Sequence, residues 1–189
     1  MFNKLKLLKR KSKLFPTISS YVKDGGTVWI ISIRGEINSP EYYTNACNVI
    51  LNATENDTVI ISLNTPGGHV YSGLAIINAI ENSKATIITR AIGMVASCGA
   101  FIWGCGHKLE MCKFSRLMFH ASSGGFIGKT RDQKENAEAI EKLIKEYIIK
   151  IKDRNILSDK QFEDMFESRQ DVYLTTVDLE NNKVEFDYA

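Results

Sequence analysis

Nowhere does the chain run apolar for the roughly 18 residues that a membrane span requires, and its first residues lack the uninterrupted apolar stretch and small-residue cleavage site of a secretory signal. A soluble, unexported, cytoplasmic protein with no membrane partner is the expectation. The four cysteines, Cys47, Cys98, Cys105 and Cys112, form no C-x-x-C pair, and a chain of this length buries a core without crosslinks, so free thiols are expected. Cys105, His107 and Cys112 lie close together but lack the two spaced pairs of a zinc site; no metal and no cofactor is expected. No G-x-x-x-x-G-K-[ST] loop is present, which excludes that phosphate cradle in this chain. Nor is there a G-x-S-x-G elbow, residues 95–99 reading Val-Ala-Ser-Cys-Gly, so the ordinary esterase arrangement is excluded as well. Without internal repeats, low-complexity stretches or a dividing linker, one domain is expected.

Acidic residues are missing from one place in particular. Lys4, Lys6, Lys9, Arg10, Lys11 and Lys13 crowd the first thirteen positions with no Asp or Glu among them, although the whole chain has 24 Lys and Arg against 22 Asp and Glu. The remainder is therefore net acidic by four, and the positive balance belongs to the N-terminal segment. Residues 1–26 read as a basic, solvated tail and residues 27–189 as the folded unit. An acidic body with one basic end argues against nucleic-acid binding.

Within the body, Thr27 to Arg34 is rich in β-branched and aromatic residues and stops at Gly35, as a buried strand does. Pro40 opens a helix over Glu41 to Ala53, Thr58 to Leu63 reads as a second strand, Val70 to Asn82 as a second helix, and Ala85 to Ile92 as a third strand. Strands alternating with helices at this spacing give βαβ units, a mainly parallel sheet and the α/β class. Ser97 to Gly104 reads as a short buried helix and Arg116 to Phe119 as a short strand ending at His120. Over 132–153, apolar residues at i, i+3, i+4 and i+7 together with Glu138/Lys142 and Glu146/Lys150 pairs predict one long amphipathic helix. A capping box, Ser158-x-x-Gln161, starts another helix, and strand and loop follow from Asp171.

Three places carry chemistry. Gly67-Gly68, after a strand and a proline, is either an ordinary turn or a place where backbone amides face a developing negative charge. Ser97 follows a buried strand within Gly93-Met94-Val95-Ala96-Ser97-Cys98-Gly99-Ala100. It is either a helix cap or a nucleophile at a helix start, where unpaired amides stabilise an anion. A serine nucleophile needs a base, and among His69, His107 and His120 the last stands at a strand end before the small Ala121-Ser122-Ser123-Gly124-Gly125. A structural histidine is the alternative.

Asn64-Thr65-Pro66-Gly67-Gly68, Gly93-Met94-Val95-Ala96-Ser97-Cys98-Gly99-Ala100-Phe101 and Arg116-Leu117-Met118-Phe119-His120 resemble, in order and separation, three motifs of the Clp protease proteolytic subunit. The likeness extends more loosely from about Trp29 to about Asp178. It implies a ClpP/crotonase-like spiral of repeated ββα units, with the helix over 132–153 as a protruding handle. It further implies a serine endopeptidase with Ser97 as nucleophile, His120 as base and Asp171 as its orienting carboxylate, Asp164, Asp178 and Asp187 being competitors for the last role. Also implied are oxyanion donors in the amides of Gly68 and Cys98, and a substrate strand seated by Gly67, Gly124 and Gly125. Cys98 stands where the family has an apolar residue.

The resemblance carries partners too: a peptide or unfolded-protein substrate, and homo-oligomeric rings of seven stacked in pairs through the handle. Departures from the pattern are visible. Ala121-Ser122 replace the usual Gln-Pro or Asn-Pro, the basic segment stands where a pore loop docks an AAA+ unfoldase, and the end beyond Thr176 diverges. These leave hydrolysis intact, weigh against the usual ATPase partner, and are similar to ClpP-like phage proteins, for which head maturation in the host cytoplasm is the implied setting. A crotonase-type acyl-CoA enzyme and a non-catalytic ring component are the alternatives.

Overall fold

The computed structural model describes residues 16–121, 142 and 148–189. The basic residues Lys4 to Lys13, Gly124, Gly125 and most of the expected helix 132–153 lie outside these. Eight strands form one sheet: β1 (Thr17–Lys23), β2 (Gly26–Arg34), β3 (Thr58–Thr65), β4 (Thr86–Ala96), β5 (Lys108–Met111), β6 (Arg116–Phe119), β7 (Val172–Leu174) and β8 (Asp187–Tyr188). Their order is β1-β2-β3-β4-β5-β8; β2 to β5 and β8 run parallel, and β1 is antiparallel to β2. The helices are α1 (Thr44–Asn52), α2 (Val70–Glu81), α3 (Cys98–Gly104), α4 (described over residues 148–153), α5 (Asp159–Phe166) and α6 (Thr176–Asn181). This is the mixed α/β, mainly parallel architecture that the alternation of strands and helices predicts.

The strand alternation explains the layering. Val59, Ile61 and Leu63 of β3 and Ile87, Ala91 and Val95 of β4 all point to one face and are fully buried. Ile50 of α1, Ile76 and Ile80 of α2, and Ile102 and Trp103 of α3 belong to the same buried cluster. Each fully buried Ile contributes roughly 1.5–3 kcal/mol, so this layer holds the helices on the sheet. At the base of α3, a Cβ on Gly104 would fall 2.1 Å from Ile151 Cδ1, and Arg154 donates to the carbonyls of Gly104, at 2.9 Å, and Gly106, at 2.5 Å. The described part of α4 is thereby seated on the far end of the helix that starts after Ser97.

β4 forks. Its middle, Ile88 to Ala91, pairs with β5, whereas its end, Met94 to Ala96, pairs with β6. The gap between the two partners is bridged by Cys112 N–H and the Ser115 hydroxyl, both donating to Ala91 O at 2.9 Å. β6 in turn pairs antiparallel with β7, Phe119 opposite Val172. The fork therefore brings together three chain ends: that of β4, that of β6 and the start of β7.

The boundaries differ from the sequence-based ones: β4 runs on to Ala96 rather than ending at Ile92, and Pro40–Tyr43 form a 3-10 turn ahead of α1. The hairpin β1–β2 carries the folded body back to Thr17 rather than Thr27, into the segment read as tail; most residues of β1 are exposed, so it has no apolar face to betray it. β5 is too short and too mixed, Lys-Leu-Glu-Met, to be seen as a strand. α6 starts with a capping box of Thr175 and Asp178 inside the region read as strand and loop.

Asp57 closes the bottom of the β2–β3 pair. Its carboxylate accepts from the Thr27 and Thr54 amides at 2.7 Å each and from the Thr54 hydroxyl at 2.8 Å. Donation from Thr54 first, then Thr27, pulls its pKa down to about 2. A depressed carboxylate stabilises the fold above its unfolded pKa near 3.8, and that contribution is lost as pH falls toward about 2. Urea midpoints should therefore favour the wild type over Asp57→Asn at neutral pH, with the difference closing between about pH 4 and about pH 2.

Candidate active site

Ser97 sits between the last residue of β4 and the first of α3, with φ 55° and ψ −130°. An L-residue there is strained by roughly 1–3 kcal/mol, and the surrounding bonds hold it in place. Its amide donates to Met118 O at 2.8 Å, and its carbonyl accepts from the amides of Ala100 at 2.9 Å and Phe101 at 3.3 Å. The peptide is thus fixed by β6 on one side and by the first turn of α3 on the other.

His120 follows β6 directly, and its Nε2 lies 2.7 Å from Ser97 Oγ. If the hydroxyl donates, Nε2 must carry the lone pair and Nδ1 the proton of the neutral ring. β4–β6 pairing sets this distance, because Ala96 is opposite Met118 and both side chains are delivered just past the paired residues.

Asp171 stands one residue before β7. The β6–β7 register ends at Phe119 opposite Val172, and one further step brings Asp171 opposite His120. Asp171 is exposed, and backbone register is what brings it to the site. The competing aspartates have other roles. Asp164 pairs with Lys160 at 3.3 Å, Asp178 caps α6 by accepting from Thr175 N and Oγ1 at 2.7 Å, and Asp187 lies in β8 opposite Glu110.

The loop after β3 closes the site. Gly67 and Gly68 adopt φ 92° and φ 142°, the first in the left-handed region that favours glycine. A Cβ on Gly67 would fall 2.6 Å from Ser97 Cβ, and one on Gly68 would fall 2.3 Å from Ile37 O. Backbone groups here are nearly all committed: Gly67 N–H to Thr65 Oγ1 at 3.0 Å, Gly67 O to Ile37 N–H at 2.8 Å, and His69 N–H to Ile37 O at 2.8 Å. The Gly68 amide faces the other way, toward the Cys98 sulfur.

Burial pushes the Cys98 thiol up to about 11, opposed by the amides of Gly68, Cys98 and Gly99. The thiol therefore stays protonated at neutral pH and is a poor nucleophile there. Cys105 is fully buried, and burial drives its thiol up to about 12. His107 accepts the Ile87 amide through Nδ1 at 3.1 Å. Among the described residues no group of three His, Cys, Asp or Glu side chains is arranged to hold a metal ion, and no helix is long and apolar enough to cross a membrane.

Two participants carry no role in the sequence reading. Ile37 braces the loop through its backbone alone and leaves only a weak trace, a lone apolar residue between Glu36 and Asn38. Thr65 belongs to the Pro-Gly-Gly motif but is distinguished only by its burial, 1% exposed beside a turn.

Residues 27–178 match the family model described as Clp protease. Three curated relatives, each an ATP-dependent Clp protease proteolytic subunit, align over most of the chain. The one from Borreliella afzelii (strain PKo) is 34% identical over 79% of this chain and 77% of its own length. Subunit 1 from Borreliella burgdorferi (strain ATCC 35210 / DSM 4680 / CIP 102532 / B31) is 33% identical over 79% and 78%. That from Borrelia garinii subsp. bavariensis (strain ATCC BAA-2496 / DSM 23469 / PBi) is 35% identical over 70% of each. With a forked parallel sheet delivering Ser97 to His120 and a family match spanning the whole site, the chain belongs to the Clp protease family.

Proposed function

We propose that the chain is a serine endopeptidase, the proteolytic subunit of a Clp-type assembly. The observation that carries this reading is the 2.7 Å contact between Ser97 Oγ and His120 Nε2 at a strained strand-to-helix turn. As Ser97 attacks a peptide carbonyl, His120 takes its proton and later returns it to the leaving amine. Asp171, one register step from His120, orients the ring and stabilises its cation. The amides of Gly68 and Cys98 receive the oxyanion, each donor being worth roughly 3 kcal/mol at comparable sites. Water then releases the acyl group from Ser97.

In this reading the subunits form rings of seven, stacked in pairs around an enclosed chamber, and an extended substrate pairs along Gly124-Gly125 as an added strand. In the assembled particle Asp171 is the carboxylate that orients the His120 ring, and catalytic hydrogen bonds often tighten only when a site is completed.

Intact mass after fluorophosphonate treatment tests the reading. One adduct on the wild type, lost in both Ser97→Ala and His120→Ala, is the expected outcome. A well-folded, assembled wild type that takes no adduct would overturn it in favour of an acyl-CoA site or a non-catalytic ring component, neither of which needs an activated Ser97.

A further inference from the structure

The loop that bears the proposed oxyanion donor is held by a side chain as well as by backbone. Thr65 is the last residue of β3 and only 1% exposed. Its Oγ1 accepts the Gly67 amide at 3.0 Å in a buried setting. Its methyl group fills the space over α3 where a side chain on Gly99 would otherwise sit, an added Cβ there falling 2.5 Å from Thr65 Cγ2. The β3–β4 register shifts between Leu63 and Thr65, so Thr65 stands opposite Val95, two residues before Ser97. One side chain therefore touches the turn before Gly68 and the helix after Ser97, from the β3 position that faces Val95 of β4.

We infer that Thr65 is a positioning residue for the oxyanion site, acting through its hydroxyl on the Gly67-Gly68 turn. Of the consecutive amides Gly67, Gly68 and His69, Thr65 Oγ1 accepts the first and Ile37 O the third, which fixes the turn on both sides of the Gly68 amide. Losing the hydroxyl frees a buried N–H to seek a new acceptor. The peptide between Gly67 and Gly68 then rotates easily, because neither residue has a Cβ to resist. A donor displaced by a fraction of an ångström still contacts a ground-state carbonyl but fits the tetrahedral oxyanion poorly, so the loss falls on the transition state.

This inference rests on the serine-peptidase reading, and the test separates the two. Wild type, Thr65→Val, Thr65→Ser and Ser97→Ala are compared for hydrolysis of a fluorogenic peptide, inhibition by a peptide boronate and thermal midpoint. Thr65→Val keeps the shape and removes the acceptor; its kcat should fall roughly tenfold or more, with KM within about twofold. Boronate affinity, which depends on a tetrahedral adduct, should weaken in parallel, and Thr65→Ser should recover most of both. A Thr65→Val protein with wild-type kcat and boronate affinity overturns the inference while leaving the peptidase reading intact. So does a Thr65→Ser protein as impaired as Thr65→Val, since packing rather than the hydroxyl would then be responsible. Hydrolysis that persists in Ser97→Ala overturns both.

Discussion

Replacing Ser97 by alanine should lower kcat for peptide hydrolysis by at least about 10³-fold with assembly unchanged, and His120→Ala should do nearly as much. In the proposed mechanism the two side chains, 2.7 Å apart, act as one unit of nucleophile and base, so the double variant should be little worse than either single one. Alanine at 97 keeps the strained backbone, whereas glycine accepts φ 55° at no steric cost. Ser97→Gly should therefore be as inactive as Ser97→Ala yet melt at a higher temperature. Equal melting temperatures for the two variants would mean that the turn stores no strain, and full hydrolysis by Ser97→Ala would remove the serine from the chemistry.

Gly67→Ala should reduce kcat/KM by roughly 100-fold or more, as large as the loss of an oxyanion donor. The added methyl carbon meets Ser97 Cβ at 2.6 Å, Ala96 O at 2.7 Å and Ser97 Oγ at 3.2 Å, and the backbone at φ 92° already disfavours an L-residue. Ala96 is paired within β4–β6 and cannot give way, so the turn or the serine must move. Gly93→Ala is the matched control. Its new carbon meets the side chain of Asn64 at 2.7 Å, and an exposed amide can rotate aside. Activity and melting temperature measured on both variants distinguish a crowded nucleophile from general intolerance of substitution at glycine. Full activity in Gly67→Ala would show that the loop does not border the serine as closely as its geometry implies.

How much of this was legible beforehand depended on the kind of interaction. β6 is read residue for residue from Arg116 to Phe119 because a short apolar run stops at a polar residue, and α5 begins at its capping box because Ser158 and Gln161 satisfy each other's neighbouring amides. β1 was hidden because an edge strand with little to bury has no alternation to display. The Ser97–His120 pair was visible as motif order, since each residue lies just beyond a strand whose sequence is distinctive. The bracing of the Gly67-Gly68 turn by Ile37 was not visible, because a bond between two backbones thirty residues apart leaves no preference in side-chain type. Asp171 lies between these cases: the motif points to it, and only the β6–β7 register brings it opposite His120.

The fork in β4 has a bearing on where this molecule can afford to move. β4 is paired on one edge with β3 and on the other first with β5 and then, over Met94 to Ala96, with β6, and Ser97 continues the β6 ladder through its own amide. Local opening events draw on segments with few such bonds, so the nucleophile belongs to the part of the domain that opens only when the sheet itself comes apart. For the proposed peptidase, adaptation to different substrates must then fall on segments less densely bonded than this one. Evolution can then vary what is cut by reshaping those segments while the serine stays welded to the most cooperative part of the fold.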